Sequence, residues 1–451
     1  MEEHIYDFLG LRYRVLFSRW GYAPHYAEHV VDPVDKREKL VLADPHIRHS
    51  VYIYDPVKKE IEWEYRVPGS RVPNPHIAHM VTDDNPITGP YWSRVADKLG
   101  AEPGDIVCAD MNNRLIVVDR DKQVVKKTIS VPDTSWLHDV IPSKKGDGLI
   151  IDDYSGGWVR KVDFSGKVLW SLNVKQASKI STVYATATTH IESFGGDYLV
   201  VSNSNPEGVY EIRDSNGEIV WSCPCKPPCI NATWLYHPHS AFRYGLAEAE
   251  GNVTIIGLEG GGGIIAVDRE CRPRWGFMKT HTNMLGEEYR ELYRPTIHGF
   301  FETTHVFPLL SGGIGAIDWK GKYSSQVVEI LGIPTRTVFT WLLAWDYELS
   351  EKWVYFDPPI EISEWDYVLL EIINLGGGSA EWEIYGTRLP QLYPWDYPSH
   401  WYRVYSHVVD SDSSDQYDLL IGEDYYTAIR VRARALEGKP RIKIIVLQFR
   451  G

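Results

Sequence analysis

Basic charge is in deficit: 47 lysines and arginines face 61 aspartates and glutamates, a formal net charge of −14, and no stretch gathers the cations into a stripe. Affinity for a phosphate backbone depends on clustered Lys and Arg releasing counterions, so a general nucleic-acid partner is excluded. Long apolar runs are also missing. No segment approaches the roughly 20 residues of a membrane-crossing helix, and no membrane insertion is expected. The opening MEEHIYDFLG lacks the charged start and apolar core of a secretory signal. Helical periodicity is nearly absent, which removes bundles and α/β folds. Glutamine is scarce, methionine and cysteine number five each, and Tyr, Trp and Pro are plentiful; this balance is similar to that of thermophile proteins.

Five cysteines, an odd number, fit no simple disulfide framework. Cys223, Cys225 and Cys229 lie together, Cys271 follows at some distance, and Cys108 stands apart. A disulfide between Cys225 and Cys229, one between this loop and Cys271, free thiols, and a zinc site lacking its fourth ligand all remain open.

What the chain does have is a repeated phrase: a histidine, a short apolar run, a turn, an apolar strand ending in an acid or amide, then a second strand ending in Asp. Clear copies start at His138, His190 and His239, looser ones at Leu40 and Ile106, and a worn one at His298 or His305, six in all. His79, His138, His190, His239 and His298 are separated by 59, 52, 49 and 59 residues. That spacing suits one four-stranded propeller blade per repeat. Strand segments alternate Val, Ile, Tyr and Trp with polar residues. Turns such as Asp163-Phe-Ser-Gly166 and Asp214-Ser-Asn-Gly217 place a capping side chain early and a glycine late. On the strands that follow, Trp170 and Trp221 are expected to fill the wedge between neighbouring blades.

The expected fold is all-β: a six-bladed β-propeller over 31–345, then a C-terminal β-sandwich, jelly-roll or Ig-like, over 353–451. Residues 1–30 form an N-terminal segment in which Leu11 to Ser18 could supply a strand that closes the ring. In the C-terminal part, Gly376 to Gly378 and the acidic run Asp410 to Asp415 read as turns, the latter with enough hard oxygens for Ca²⁺ or simply solvated. Trp395 and Trp401 sit in an aromatic loop suited to stacking on sugar rings or to packing against the propeller.

Residues at one repeated position of a propeller converge on its channel, so the repeated histidines form the candidate site. Converging imidazoles can act as nucleophile and acid–base pair, bind an anion, or hold a metal. Alternatively, each caps backbone groups of the next blade. His138, His239, His298 and His305 are the catalytic candidates, with His76 and His237 close in sequence. His79, His190, Arg243, Glu259, Trp395 and Trp401 are the ligand-binding candidates. No cofactor is implied and no residue is assigned to a metal, although four imidazoles on four blades could hold iron or another divalent ion.

The order Trp136-Leu-His138-Asp-Val, and later His237-Pro-His239-Ser-Ala-Phe followed by Gly251-Asn-Val-Thr-Ile-Ile-Gly-Leu, resembles the propeller of the arylsulfate sulfotransferases over about residues 70 to 330. The resemblance implies sulfuryl transfer through a funnel histidine: His138 and His239 fall on the family's motif histidines, and His298 or His305 on the transferring one. The family's sulfate-binding arginine is not matched. Its turn is Glu259-Gly-Gly-Gly-Gly263 here, and a carboxylate there repels a sulfate ester. Arg243 and Arg294 lie off the pattern.

The function expected is therefore a non-catalytic recognition or assembly protein of a cell surface, extracellular structure or virion, binding carbohydrate or a small anion and a protein partner or its own copies. Sulfuryl transfer is the second expectation and a His-ligated metal centre the third. Asn231-Ala-Thr233 and Asn252-Val-Thr254 would accept N-glycans on an exported chain.

Overall fold

The computed structural model describes residues 5–8, 11–67, 75–110, 113–134, 136–153, 156–174, 185–190, 196–202, 208–223, 238–245, 252–259, 263–279, 303–319, 325–331, 337–361, 367–387, 401–420 and 428–450. His237, Cys225, Cys229, Arg294, His298 and Trp395 lie outside them.

Among the described residues the chain is almost entirely β, as the alternation and turn chemistry demand. Two short strands come first, β1 (Ile5–Phe8) and β2 (Leu11–Ser18). Then five antiparallel meanders of four strands follow one another. The first is β3 (Tyr26–Val31), β4 (Glu38–Asp44), β5 (Ser50–Asp55) and β6 (Glu60–Arg66). The second is β7 (Ala78–Met80), β8 (Ile106–Asp110), β9 (Arg114–Asp119) and β10 (Val124–Ser130), with a single helical turn, α1 (Ala96–Leu99), between its first two strands. The third is β11 (Leu137–Pro142), β12 (Leu149–Asp153), β13 (Trp158–Val162) and β14 (Val168–Asn173). The fourth is β15 (Ala185–His190), β16 (Tyr198–Ser202), β17 (Gly208–Ile212) and β18 (Ile219–Cys223). The fifth is β19 (Pro238–Gly245), β20 (Asn252–Leu258), β21 (Gly263–Val267) and β22 (Pro273–Lys279). A sixth sheet combines β23 (Thr303–Pro308), β24 (Ile314–Trp319) and β25 (Ser325–Ile330) with β2 and β1, β2 pairing antiparallel to β25.

Several four-stranded antiparallel sheets in succession are the arrangement of a β-propeller. First strands of successive sheets lie together: β3 touches β7 and β23, β15 touches β11 and β19, and β19 touches β23. Of these, β3, β7, β11 and β23 are buried along nearly their whole length, whereas last strands such as β6 and β10 mix buried with exposed positions. Outer tryptophans join neighbouring sheets. Trp63 Nε1 donates to the Arg120 carbonyl at 2.8 Å, Trp170 Nε1 to Asp214 at 2.8 Å, and Trp221 Nε1 to Arg269 at 2.6 Å. Each therefore reaches a turn of the following sheet. Gly217, at φ +70°, lies so close to the Trp170 ring that a Cβ there would collide with it.

The remaining strands extend the fifth sheet and form one further sheet. β26 (Thr337–Glu348), β33 (Arg441–Arg450), β28 (Tyr367–Asn374) and β31 (Ser414–Leu420) continue the fifth sheet, because β26 pairs in parallel with β22. β27 (Val354–Glu361), β32 (Ala428–Ala435), β29 (Ala380–Thr387) and β30 (Tyr402–Val409) form the other. Trp382, Ile384, Val431, Leu370, Ile372 and Ile444 from the two sheets share one apolar cluster. The Asp410 to Asp415 run is only partly a turn, since β31 begins at Ser414. Asp415 accepts hydrogen bonds from Trp382 Nε1 (2.8 Å) and the Tyr405 hydroxyl (2.9 Å). Cys223 and Cys271 form a disulfide, and Cys108 is buried and free. No described helix is long and apolar enough to cross a membrane.

Candidate functional site

The first strands bring imidazoles together by a specific device. Pairing slips by one residue between Leu137 and Val140 on β11, between Pro238 and Ser240 on β19, and between Thr303 and His305 on β23. Such a bulge re-aims the side chains beside it. His138 and His239 sit in these slips. A second device is the dipeptide Pro-His, which occurs at 24–25, 45–46, 75–76 and 238–239. Proline donates no hydrogen bond and suits the first residue of a strand. His25 and His76 precede β3 and β7, His46 lies in the β4–β5 turn, and His239 enters β19.

Five histidines consequently form one cluster with His25 at its hub. The His25 ring centroid lies 4.8 Å from His239, 5.0 Å from His76, 5.4 Å from His46 and 6.5 Å from His138. His76 and His138 are 4.7 Å apart, His138 and His239 5.7 Å. Trp319 and Trp136 flank the group, 5.3 Å from His46 and 5.8 Å from His76 respectively. His25, His76, His138 and His239 are all at most 4 % exposed; His46 and Glu259 are half-buried. Burial holds all five imidazoles below their ordinary pKa, and their mutual repulsion adds to it for His25, His76 and His138. The cluster is thus neutral at pH 7. Both ring nitrogens of His76 are buried without a hydrogen-bond partner among the described residues. Glu259, just past β20, brings Oε2 to 4.0 Å from His239 Nε2.

A second tier lies beside it and carries charge. His79 on β7 is held between Glu28 of β3 (Nδ1 to Oε2 2.8 Å) and Asp139 of β11 (Nε2 to Oδ1 3.2 Å). Burial lowers its pKa, but the two carboxylates outweigh burial and push it up to about 9. Glu28 also accepts hydrogen bonds from Asn85 Nδ2 and the Met80 amide. Burial raises Asp139, and burial with the Asp139 charge raises Asp152 well above the carboxylate range. His305 packs at 4.4 Å from Tyr26 and is kept neutral by burial.

Of the residues expected from sequence, His138, His239 and Glu259 meet in the cluster, and His79 and His305 in the tier beside it. His190 ends β15, whose backbone pairs it with Tyr198. Arg243 belongs elsewhere. Its Nη2 meets Glu211 Oε2 at 2.7 Å, its Nη1 donates to Thr254 Oγ1, and its guanidinium lies 4.9 Å from the Trp221 ring. Trp401 is half-buried at the entry to β30. His25 and His46 were not among the expected residues. The Pro-His dipeptide would have found them, since all four copies lie in the cluster.

A second feature faces outward on the β27–β32–β29–β30 sheet. Arg430, Arg432 and Arg434 alternate with buried Ile429, Val431 and Ala433 along β32. Arg432 lies 4.1 Å from the Trp353 ring and 4.8 Å from Tyr385; Arg430 lies 4.3 Å from Tyr355 and Arg434 4.6 Å from Trp353. Glu383 pairs with Arg403 and Arg432, Glu381 with Arg434.

No family model matches the chain, and no curated protein does. Among solved structures it resembles β-propeller proteins at low identity. BBS1N in complex with ARL6DN shares 10 % identity over 68 % of this chain and 79 % of that one, with TM-scores of 0.39 for the mercury-soaked crystal and 0.36 for the lead-soaked one. Raptor of Chaetomium thermophilum shares 8 % identity at a TM-score of 0.40 over 66 % of this chain, which spans only 23 % of Raptor.

Proposed function

We propose that the chain is a non-catalytic recognition or assembly protein, built as a six-bladed β-propeller closed by β2 and followed by a C-terminal β-sandwich, and that the outward aromatic and arginine face of the sandwich binds an acidic carbohydrate. That face is the observation that carries the reading. On a chain of net charge −14 it gathers four guanidiniums, of which Arg403, Arg432 and Arg434 pair with the carboxylates of Glu381 and Glu383 while Arg430 lies over the Tyr355 ring. Planar guanidiniums bind carboxylate and sulfate groups through paired hydrogen bonds, and the interleaved rings suit sugar faces. The packing of the histidine cluster supports the same reading, since its imidazoles lie against one another at centroid distances of 4.7 to 6.5 Å and present no cation to an anionic ester.

Sulfuryl transfer gains no support from this geometry. Neutral imidazoles beside Glu259 do not attract a sulfate, and Arg243 is committed to Glu211. The Cys223–Cys271 disulfide fits an exported protein or a hyperthermophile interior.

Binding of the full chain to immobilised carboxylated or sulfated polysaccharide, with neutral dextran as control, tests the proposal. Binding to the acidic polymers alone, weakened about tenfold by Arg430→Ala with Arg434→Ala and by raising the salt to about 0.5 M, is expected. Equal retention on dextran, or indifference to the double substitution, removes this face from the function.

A further inference from the structure

The imidazole cluster has a use that the outward face does not explain. We propose that the channel holds one divalent transition-metal ion, bound by His25, His239 and Glu259 with His46 as the fourth donor, and that the ion clasps the first sheet to the fifth.

The donor atoms of His25, His239 and Glu259 already lie within 4.8 Å of one another, the one group of three metal-capable donors so placed among the described residues. A tetrahedral ion with bonds of about 2.0–2.1 Å asks for ligands about 3.3 Å apart, so a contraction of one to two ångströms completes the set. Glu259 can make that movement. It sits at the mouth of the Glu259-Gly-Gly-Gly-Gly263 connection with its side chain 28 % exposed. His46 is half-buried with its ring 5.4 Å from that of His25, and it must draw inward with Glu259 to complete the set. Imidazoles with one carboxylate suit zinc or ferrous iron; calcium and magnesium want oxygen ligands throughout.

His76 supplies an independent observation. A buried imidazole with neither nitrogen partnered is uncommon and calls for an explanation. Ligating histidines turn their remaining N–H to an acceptor in the next shell. With an ion on His25, its other N–H would be offered to His76, whose ring is 5.0 Å away. The mechanical consequence follows from topology. His25 and His46 belong to the first sheet, His239 and Glu259 to the fifth, and β3 and β19 each contact β23 of the sheet between them. The ion would therefore bridge two sheets that are not neighbours.

Untagged full-length chain, stripped of metal and checked for folding by circular dichroism, is titrated with Co²⁺, whose visible absorption reports four-coordinate binding. One equivalent per chain is expected, together with one zinc or iron per chain in the protein as purified. Glu259→Ala and His239→Ala should each weaken Co²⁺ binding at least tenfold, while His407→Asn, on the distant C-terminal sheet, leaves it within twofold. Folded apoprotein that gives no four-coordinate absorption overturns the proposal, as does binding that survives both substitutions. Should His239→Ala fail to fold, Glu259→Ala decides alone, because its side chain reaches solvent and supports no core.

Discussion

His79 concentrates the chemistry of single residues in this molecule. Its imidazolium is buried between Glu28 and Asp139, with Tyr26 and His305 as the remaining titratable neighbours. Because its pKa in the folded chain, about 9, lies above the unfolded value of about 6.5, its contribution is complete below pH 6.5 and drains away as the pH rises through 9. The displacement corresponds to about 3 kcal/mol. Melting temperature should therefore fall between pH 7 and 10. His79→Asn should remove most of that slope while costing about 3–5 kcal/mol in urea unfolding, since it leaves two carboxylates buried without their cation. A slope unchanged by the substitution would assign the alkaline loss to other groups. Sequence spacing pointed to His79 as a channel residue but could not reveal its partners, which lie 51 and 60 residues away. The same reliance on a 49–59 residue interval passed over His25 and His46, whose signal is a local dipeptide.

At the scale of strands and turns, the chain was most readable. Alternation of β-branched and polar residues marked the strands, and Gly166 and Gly217 adopt the positive φ that their turns require. Trp170 and Trp221 do join neighbouring sheets. Trp221 is 8 % exposed, donates to the Arg269 carbonyl and lies beneath the Arg243 guanidinium. Trp221→Ala should cost about 3–5 kcal/mol by denaturant titration. Trp221→Phe, which keeps most of the apolar body, should cost nearer 1 kcal/mol for the lost hydrogen bond. Similar losses from the two would show that the indole N–H, and not its packing, carries the contact. What alternation could not disclose was the one-residue slip at the head of β11, β19 and β23, because a bulge leaves composition unchanged while turning a side chain toward a new neighbour.

For the molecule as a whole, the fourth and fifth sheets are also joined covalently. Cys223 ends β18 and Cys271 lies in the β21–β22 turn, 48 residues on, at the same seam as the Trp221 contact. Closing a loop of that length restricts the unfolded chain by about 4 kcal/mol. Cys271→Ser should lower the denaturation midpoint, and reductant should lower the wild type to the same value without affecting the variant. Failure of reductant to move the wild type would mean that this bond does not form in solution. The sequence left that pairing among several because spacing says nothing about which turns face one another, and it carried no sign that β22 and β26 would pair.

That junction has a consequence for any attempt to study the repeats alone. Since β22 hands its outer hydrogen-bonding edge to β26, a chain cut before residue 337 would present a bare row of amides and carbonyls along Gly276 to Lys279. Such a row is a template for other chains. The truncated protein would then be more open to pairing with other chains along that edge, which in the full chain β26 covers.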